Sequence, residues 1–181
     1  MHPGARKDNS LIGAAGVYYA AYKLTQRGML ALPTVRNTPG TDLIVTSRDG
    51  RHHANIQVKT SQYARARFWV ICSAKRFATL PFGRHDFYLL LRPQRADDPG
   101  GQEVDELEGF MLTAQEAMKE MQAHLKFRTQ VGKEVKFPLC IWVDKGSREQ
   151  SWPENKGDEW RKDKEKWRKR WRTWKLVEGR S

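Results

Sequence analysis

Polar and apolar residues alternate along residues 53–60, HANIQVKT, and this alternation predicts a β-strand with two different faces. The isoleucine and the valine point to one side, which we expect a helix to cover. Asn55, Gln57 and Lys59 point to the other side, where we expect an open face. A row of two amides and an ammonium group is typical either of a solvated surface or of a functional site.

Apolar runs between turn residues predict an α/β fold in which helices flank a mixed central sheet. The predicted strands are Leu30–Val35, Thr41–Thr46, His53–Thr60, Phe68–Ser73, Asp86–Arg92, Gly109–Thr113 and Phe137–Val143. Asp49 and Gly50 form a strong tight-turn signal, so we expect the second and third strands to pair antiparallel.

The spacing of apolar residues predicts a first helix from Leu11 to Gln26. Asn9 or Ser10 is suited to cap its N-terminus. Gly13 and Gly16 lie inside this helix, although a glycine there costs up to about 1 kcal/mol relative to alanine. We interpret both glycines as allowing close packing on the sheet. The alternative is that a ligand approaches the helix backbone closely.

Thr113 and Glu116 have the spacing of a capping box, which predicts a helix that begins there and ends near Leu125. The preceding segment, Asp97–Glu108, contains six acidic residues and no basic residue. Its proline and glycines indicate a solvated loop.

Charge and composition narrow the class of protein. The 181 residues carry a formal net charge of +12 with a pI near 9.9, which favours polyanionic partners, nucleic acid before acidic membranes. No apolar run approaches the roughly 20 residues that span a bilayer, and no signal peptide is recognisable. Cys72 and Cys140 lie in apolar strands without metal-ligand spacing, so we expect buried thiols in a reducing compartment. We therefore expect a cytoplasmic protein outside the membrane.

The last thirty-one residues, 151–181, hold eleven basic and six acidic residues, a net charge of +5. Four tryptophans of this segment fall on one stripe of a helix, and they are Trp160, Trp167, Trp171 and Trp174. We expect the stripe to dock a basic helix onto the domain, with the solvent-facing bases available to phosphates. Base stacking or membrane insertion by the tryptophans is the alternative. We accordingly divide the chain into an α/β domain, residues 1–148, and a basic Trp-rich helical extension, residues 149–181.

The hairpin between the second and third strands brings chemically suited residues together. Asp42 precedes the second strand, and the third strand returns Gln57 and Lys59 toward it. Carboxylate and amide oxygens are ligands for Mg²⁺ or Mn²⁺, and an ammonium group can orient water or stabilise charge on a phosphate. This combination suits metal-assisted hydrolysis of a phosphodiester.

With a helix before GTD and with IQVKTS after the hairpin, residues 9–73 resemble the PD-(D/E)xK nuclease superfamily, which has the restriction-endonuclease-like fold. Within it, the chain looks closest to small stand-alone and Holliday-junction resolvase-like members. The resemblance implies an endonuclease that uses Mg²⁺ (or Mn²⁺) to hydrolyse phosphodiester bonds in DNA. It implies Asp42, Gln57 and Lys59 as catalytic residues, with Asp42, Gln57 and the carbonyl of Val58 as metal ligands.

Two positions depart from the pattern of this superfamily. Gln57 stands where an acid is usual, and the first helix lacks the glutamate that many relatives place there. The site then offers one carboxylate, which predicts weaker metal binding because ligand charge sets much of the affinity. Two alternatives stay open: a nucleic-acid-binding protein without catalysis on the same fold, and a protein-interaction module whose Trp-rich helix docks on a partner.

The expected partner is nucleic acid, with DNA first. The residues that we predict to contact it are Ser61, Arg65, Arg67, Lys164, Arg168 and Arg172. A homodimer is a further expectation, because two sites cut two strands most easily.

Overall fold

The structure, a computed structural model, describes residues 8–35, 40–64, 66–77, 86–94, 106–130, 138–143 and 159–173. The helices are α1 (Asn9–Gln26), α2 (Ala74–Phe77), α3 (Ala114–Gln130) and α4 (Glu159–Thr173). The strands are β1 (Leu30–Pro33), β2 (Leu43–Thr46), β3 (His53–Thr60), β4 (Phe68–Ser73), β5 (Asp86–Pro93), β6 (Leu107–Thr113) and β7 (Pro138–Trp142).

Five strands form a mixed sheet in the order β1-β2-β3-β5-β6. The first three strands are an antiparallel meander, β5 runs parallel to β3, and β6 pairs antiparallel with β5. The tight turn between β2 and β3 is the predicted one, with Gly50 at φ 69°, a conformation that favours glycine. The remaining strands, β4 and β7, form a separate two-stranded antiparallel sheet. The prediction of a mixed sheet flanked by helices is confirmed.

Helix α1 begins at Asn9, so neither of the predicted caps, Asn9 and Ser10, is the N-cap. Its N-cap is Asp8, whose Oδ1 accepts a hydrogen bond from the Ser10 backbone N–H at 2.8 Å. A carboxylate at this position also interacts favourably with the helix dipole, which explains its use in place of Asn9. The helix ends at Gln26, and just past it Gly28 has φ 84° and donates its N–H to Thr25 O at 2.9 Å.

The apolar side of β3 faces α1, as the alternation predicts. Ile56 and Val58 are buried in one cluster with Ala20 and Leu24 of the helix. The opposite face is not fully open. Tyr88 stands beside Gln57 in the parallel register, and the side chain of Gln57 is only half-buried although its amide oxygen is covered.

The second core lies on the other face of the sheet. Apolar side chains of β5 and β6 pack there against the β4–β7 sheet and α3; among the buried ones are Leu90, Phe110, Leu112, Met121, Leu139 and Ile141. Strands β5 and β6 are therefore buried on both faces, and their sequences read as nearly continuous apolar runs.

Helix α3 starts with the predicted capping box. The Glu116 N–H donates to Thr113 Oγ1 at 3.2 Å, and the Thr113 N–H donates to Glu116 Oε2 at 3.0 Å. The helix continues to Gln130, past the predicted end near Leu125. Buried His124 accepts a hydrogen bond from the Cys140 N–H at 3.1 Å and so ties the later turns to β7.

Helix α4 lies along β6, the edge strand of the five-stranded sheet. Trp171 is buried in the cluster on the α1 side, whereas Trp167, one turn earlier, is buried in the cluster on the other side. Gly109 of β6 allows this contact, because a Cβ there would meet the Trp171 indole at 2.6 Å. The helix thus covers an otherwise open sheet edge. The side chains of Trp160 and Trp174 lie outside the described residues.

The acidic segment before β6 is not solvated throughout. Glu108 lies inside β6 and pairs with Arg92 at 2.7 Å and with Arg168 at 2.5 Å. Arg92 is only 2% exposed, so this is a buried ion pair whose partners depend on each other. The loop prediction is wrong for this end of the segment, and residues 97–105 lie outside the described part.

Cys72 and Cys140 are buried free thiols, as predicted. Burial raises the pKa of Cys140 to about 11, so this thiol stays protonated at neutral pH. Within the described residues no helix has the length and apolar character needed to cross a bilayer.

Candidate functional site

The backbone places Asp42 at the end of the sheet where β2 begins. Its N–H donates to Ile56 O at 2.9 Å, and its carbonyl accepts from the Thr34 N–H at 3.0 Å. The pairing of β2 with β3 ends at Leu43 and Ile56, and Asp42 is the residue just before this pair. The hairpin therefore brings Asp42 beside the Ile56–Val58 stretch of β3.

The Asp42 carboxylate is held in position by the neighbouring strand. Its Oδ2 accepts a hydrogen bond from the Val58 backbone N–H at 2.8 Å. In a strand, the N–H and C=O of one residue point to the same edge, so the Val58 carbonyl also faces the edge where Asp42 lies. A carboxylate oxygen and a backbone carbonyl oxygen thus share this edge.

The side-chain oxygen of Gln57 lacks a hydrogen-bond partner. Gln57 Oε1 is buried, and no donor within the described residues reaches it. A buried amide oxygen without a donor costs free energy, so a cation or a bound water is the expected occupant of this space. Carboxylate, carbonyl and amide oxygens are the ligand types that Mg²⁺ and Mn²⁺ prefer, so the residue types at Asp42, Val58 and Gln57 fit such an ion. The Asp42 carboxylate opens with Val58 onto the α1 side of the sheet, whereas Gln57 lies beside Tyr88 on the other side.

Two clefts meet at the N-terminal end of α1. One, of about 390 Å³, is lined by Asp42 and Val58. The other, of about 290 Å³, is lined by Lys59 and Ser61. Asn9 lines both, so Asp42 and Lys59 open onto adjoining spaces.

Gly13 forms part of the wall of the Asp42 cleft. A Cβ built on it would have no neighbour within 4 Å, so the expectation that Gly13 serves close packing is wrong. Gly16 behaves as expected, because a Cβ there would lie 1.7 Å from Thr60 Oγ1.

A second carboxylate is not supplied from the β2–β3 turn. Asp49 hydrogen-bonds Ser47 Oγ at 2.5 Å and the Arg51 N–H at 3.1 Å, at the opposite end of β2 from Asp42. Four strand residues separate these ends, roughly 13 Å. In the described part of the chain no three His, Cys, Asp or Glu side chains converge as metal ligands.

Sequence reasoning missed Asp86. It begins β5, pairs in register with Asn55 and accepts a hydrogen bond from Asn55 Nδ2 at 3.0 Å. The register puts it diagonal to Gln57 on the same face of the sheet. The signal for it would have been the parallel pairing of β3 with β5, which neither strand reveals by itself.

The predicted nucleic-acid contacts have different surroundings. Ser61 Oγ accepts from the Tyr63 N–H at 3.1 Å, and Arg67 is half-buried. Arg168 is held by Glu108 at 2.5 Å and by Glu165 at 3.1 Å, so its charge is already used within the protein. Arg172 is exposed, and Lys164 is half-buried on the same helix. Arg65 lies outside the described residues.

No family model matches the chain, and no curated protein matches it. Among solved structures, it is similar to that of a bacterial homing endonuclease, with 12% sequence identity and a TM-score of 0.41, over 88% of this chain and 95% of the other. A similarity at this level assigns no function to the chain.

Proposed function

We propose that this protein is a restriction-endonuclease-like enzyme of the PD-(D/E)xK type, which uses Mg²⁺ or Mn²⁺ to hydrolyse phosphodiester bonds in DNA. The observation that carries the proposal is the Asp42 carboxylate, which the Val58 N–H holds at the edge of β3, next to Gln57 with its buried and unpartnered amide oxygen. The resemblance of residues 9–73 to that superfamily supports it, and so does the net charge of +12.

Each residue has a distinct role in this proposal. Asp42, Gln57 and the Val58 carbonyl would hold the ion, which would lower the pKa of water and neutralise phosphate charge. The hydrogen bond from the Val58 N–H fixes the orientation of the Asp42 carboxylate, so no reorientation is needed on binding. Lys59 orients the attacking water or stabilises the charge that develops on the phosphate oxygens.

Three variants test these roles. Asp42→Asn should weaken metal binding and lower cleavage of plasmid and oligonucleotide DNA by at least about 100-fold. Lys59→Ala should lower cleavage while leaving metal binding largely intact. Gln57→Glu adds a carboxylate oxygen at nearly constant shape and should tighten Mn²⁺ binding in calorimetry. Unchanged metal affinity in Gln57→Glu, together with no effect of the other two variants, would reduce the site to a solvated strand face.

A second function is favoured by one specific observation: within the described residues no three Asp, Glu, His or Cys side chains converge to hold a metal. A protein on this fold that binds nucleic acid without cutting it requires only the basic side chains and the clefts, and no metal ion. It predicts DNA binding that is unaffected by EDTA and no cleavage with either Mg²⁺ or Mn²⁺. The proposal of DNA as substrate rests on the resemblance, and that of a homodimer on the need to cut two strands; both stay predictions.

A further inference from the structure

Exposed aromatic side chains lie on the outer face of the β4–β7 sheet. Phe68 is 45% exposed and packs on Trp142 with a ring-centroid distance of 4.7 Å. Tyr63, in the loop before β4, is 66% exposed. The hydrogen bond from the Tyr63 N–H to Ser61 Oγ closes a turn that fixes the backbone at this tyrosine.

These aromatic side chains share one space with the proposed catalytic lysine. The cleft of about 290 Å³ is lined by Lys59, Ser61, Tyr63, Phe68 and Val70, together with the first turns of α1. We call it the aromatic cleft. It adjoins the Asp42 cleft, since Asn9 borders both.

The combination of exposed rings and cations defines the chemistry of a ligand. Every nucleobase offers a π-face that stacks on an aromatic ring, and its phosphates attract a lysine or arginine. Lys59 supplies a cation inside the cleft, and half-buried Arg67 precedes Phe68. A space of this size is at the lower limit of small-molecule pockets, which span roughly 300–1,000 Å³, so it suits a single base.

We propose that the aromatic cleft binds an unpaired nucleotide, so that the preferred substrate is DNA with single-stranded character beside the bond to be cut. This inference rests on the proposed function, because it assigns a substrate class to that same site. A base within an intact duplex is already stacked on its neighbours and cannot present its face to Phe68 or Tyr63. Single-stranded DNA pays no unpairing energy, and it should therefore bind more tightly than a duplex.

The test is fluorescence anisotropy with a labelled oligothymidine and a labelled blunt duplex, in EDTA so that cleavage does not occur. The wild-type protein should prefer the single strand. Tyr63→Ala and Phe68→Ala should each weaken single-strand binding about 5- to 100-fold and change duplex binding little. The slope of affinity against salt should stay the same, because stacking releases no counterions.

Matched variants separate stacking from other effects. Tyr63→Phe and Phe68→Trp keep an aromatic face and should retain binding. Tyr22→Ala removes another exposed tyrosine, 57% exposed near the opposite end of α1, and should have no effect on single-strand binding. Circular dichroism identifies a variant that fails to fold. If Phe68→Ala in β4 does not fold, the result for Tyr63→Ala, which lies in a loop, decides the test.

The outcomes distinguish this inference from the proposed function. Single-strand preference without any metal-dependent cleavage supports the aromatic cleft and overturns the nuclease. Cleavage with equal affinity for both DNA forms, or equal losses on both in the two alanine variants, overturns the cleft. Concentration-dependent dimerisation that Phe68→Ala abolishes, with no oligonucleotide binding, overturns it in favour of a protein interface.

Discussion

Two glycines three residues apart in α1 have opposite surroundings. Gly16 is buried against Thr60 of β3, and Thr60 Oγ1 is itself covered. Gly13 faces the space in front of Asp42 and has nothing within 4 Å of a built Cβ. The sequence predicts the same free-energy cost for both glycines relative to alanine, because it does not reveal which turn of the helix touches the sheet.

This difference predicts opposite results for the same substitution. Gly16→Ala should destabilise the protein by about 1–3 kcal/mol, since its Cβ would overlap Thr60 Oγ1. Gly13→Ala should leave stability unchanged or raise it by up to about 1 kcal/mol, while lowering DNA cleavage or binding because it narrows the Asp42 cleft. Urea unfolding and a DNA-binding titration measure the two effects. A loss of stability in Gly13→Ala comparable with that in Gly16→Ala would contradict this account.

At the scale of elements, Glu116 joins two helices. It closes the capping box of α3, and the same carboxylate pairs with Arg170 and, at 2.9 Å, with Lys166 of α4. Burial tends to raise the pKa of Glu116, but hydrogen bonds from Arg170, Lys166 and the Thr113 N–H outweigh it and hold this pKa at about 2. Arg170 also donates to Met111 O of β6 at 3.5 Å. The attachment of α4 therefore depends on the charge of one carboxylate.

This arrangement predicts a pH-dependent contribution to stability. A carboxyl whose pKa falls on folding stabilises the protein above its unfolded value, near 4.5, and this contribution is lost as the pH falls toward 2. Glu116→Gln keeps a capping side chain but removes the charge. At pH 6 it should lower the free energy of unfolding by on the order of 1–3 kcal/mol, after allowance for partial solvent screening.

Urea unfolding followed by tryptophan fluorescence checks this, at pH values from 6 down to 2.5. The difference between wild type and Glu116→Gln should shrink through that range. Glu165→Gln removes a carboxylate of α4 that is 61% exposed, and it should change stability by less than about 0.5 kcal/mol at every pH. A difference for Glu116→Gln that stays constant with pH would mean that charge is not what anchors α4.

Local patterns predicted the elements better than their partners. The alternation in β3 gave its bounds and faces, and the spacing of Thr113 and Glu116 gave the start of α3, because both signals depend on neighbouring residues only. The pairing of β3 with β5 joins distant segments, so Asp86 was missed. The separate β4–β7 sheet and the second role of Glu116 likewise arise from long-range packing.

Within the site, the pattern predicted which side chains share a face. Asp42 and Gln57 were expected together on residue type and hairpin length, and the described hydrogen bonds place Asp42 beside Ile56 and Val58, the two neighbours of Gln57. The hydrogen bond from the Val58 N–H to Asp42 was not predictable, since it depends on where β2 stops pairing with β3. The exposure of Tyr63 and Phe68 could not be predicted either, because it depends on the position of the second sheet.

At the scale of the whole molecule, the net charge of +12 does not show which basic side chains can contact a polyanion. Several cations are used inside the protein: Lys23 pairs with Glu106 at 2.9 Å, and Arg92 and Arg168 share Glu108. Exposed Lys162 and Arg172 instead remain on the solvent side of α4. Local exposure, more than total charge, should decide which bases contact phosphates.

Two variants that each remove one positive charge, from different places on the surface, test this view. Deleting α4 would expose Trp167 and Trp171 and open the edge of β6, so substitution is the cleaner experiment. Arg172→Gln should reduce the slope of log affinity against log salt by up to about 0.9 on duplex DNA and about 0.7 on single strands, because one phosphate contact is lost. Arg51→Gln removes the same charge from the β2–β3 turn, where the side chain is 82% exposed and away from both clefts, and should leave the slope unchanged. Anisotropy titrations over a range of salt concentrations give both slopes. Equal reductions in the two variants would show that DNA responds only to the total charge, and α4 would then have no specific part in binding.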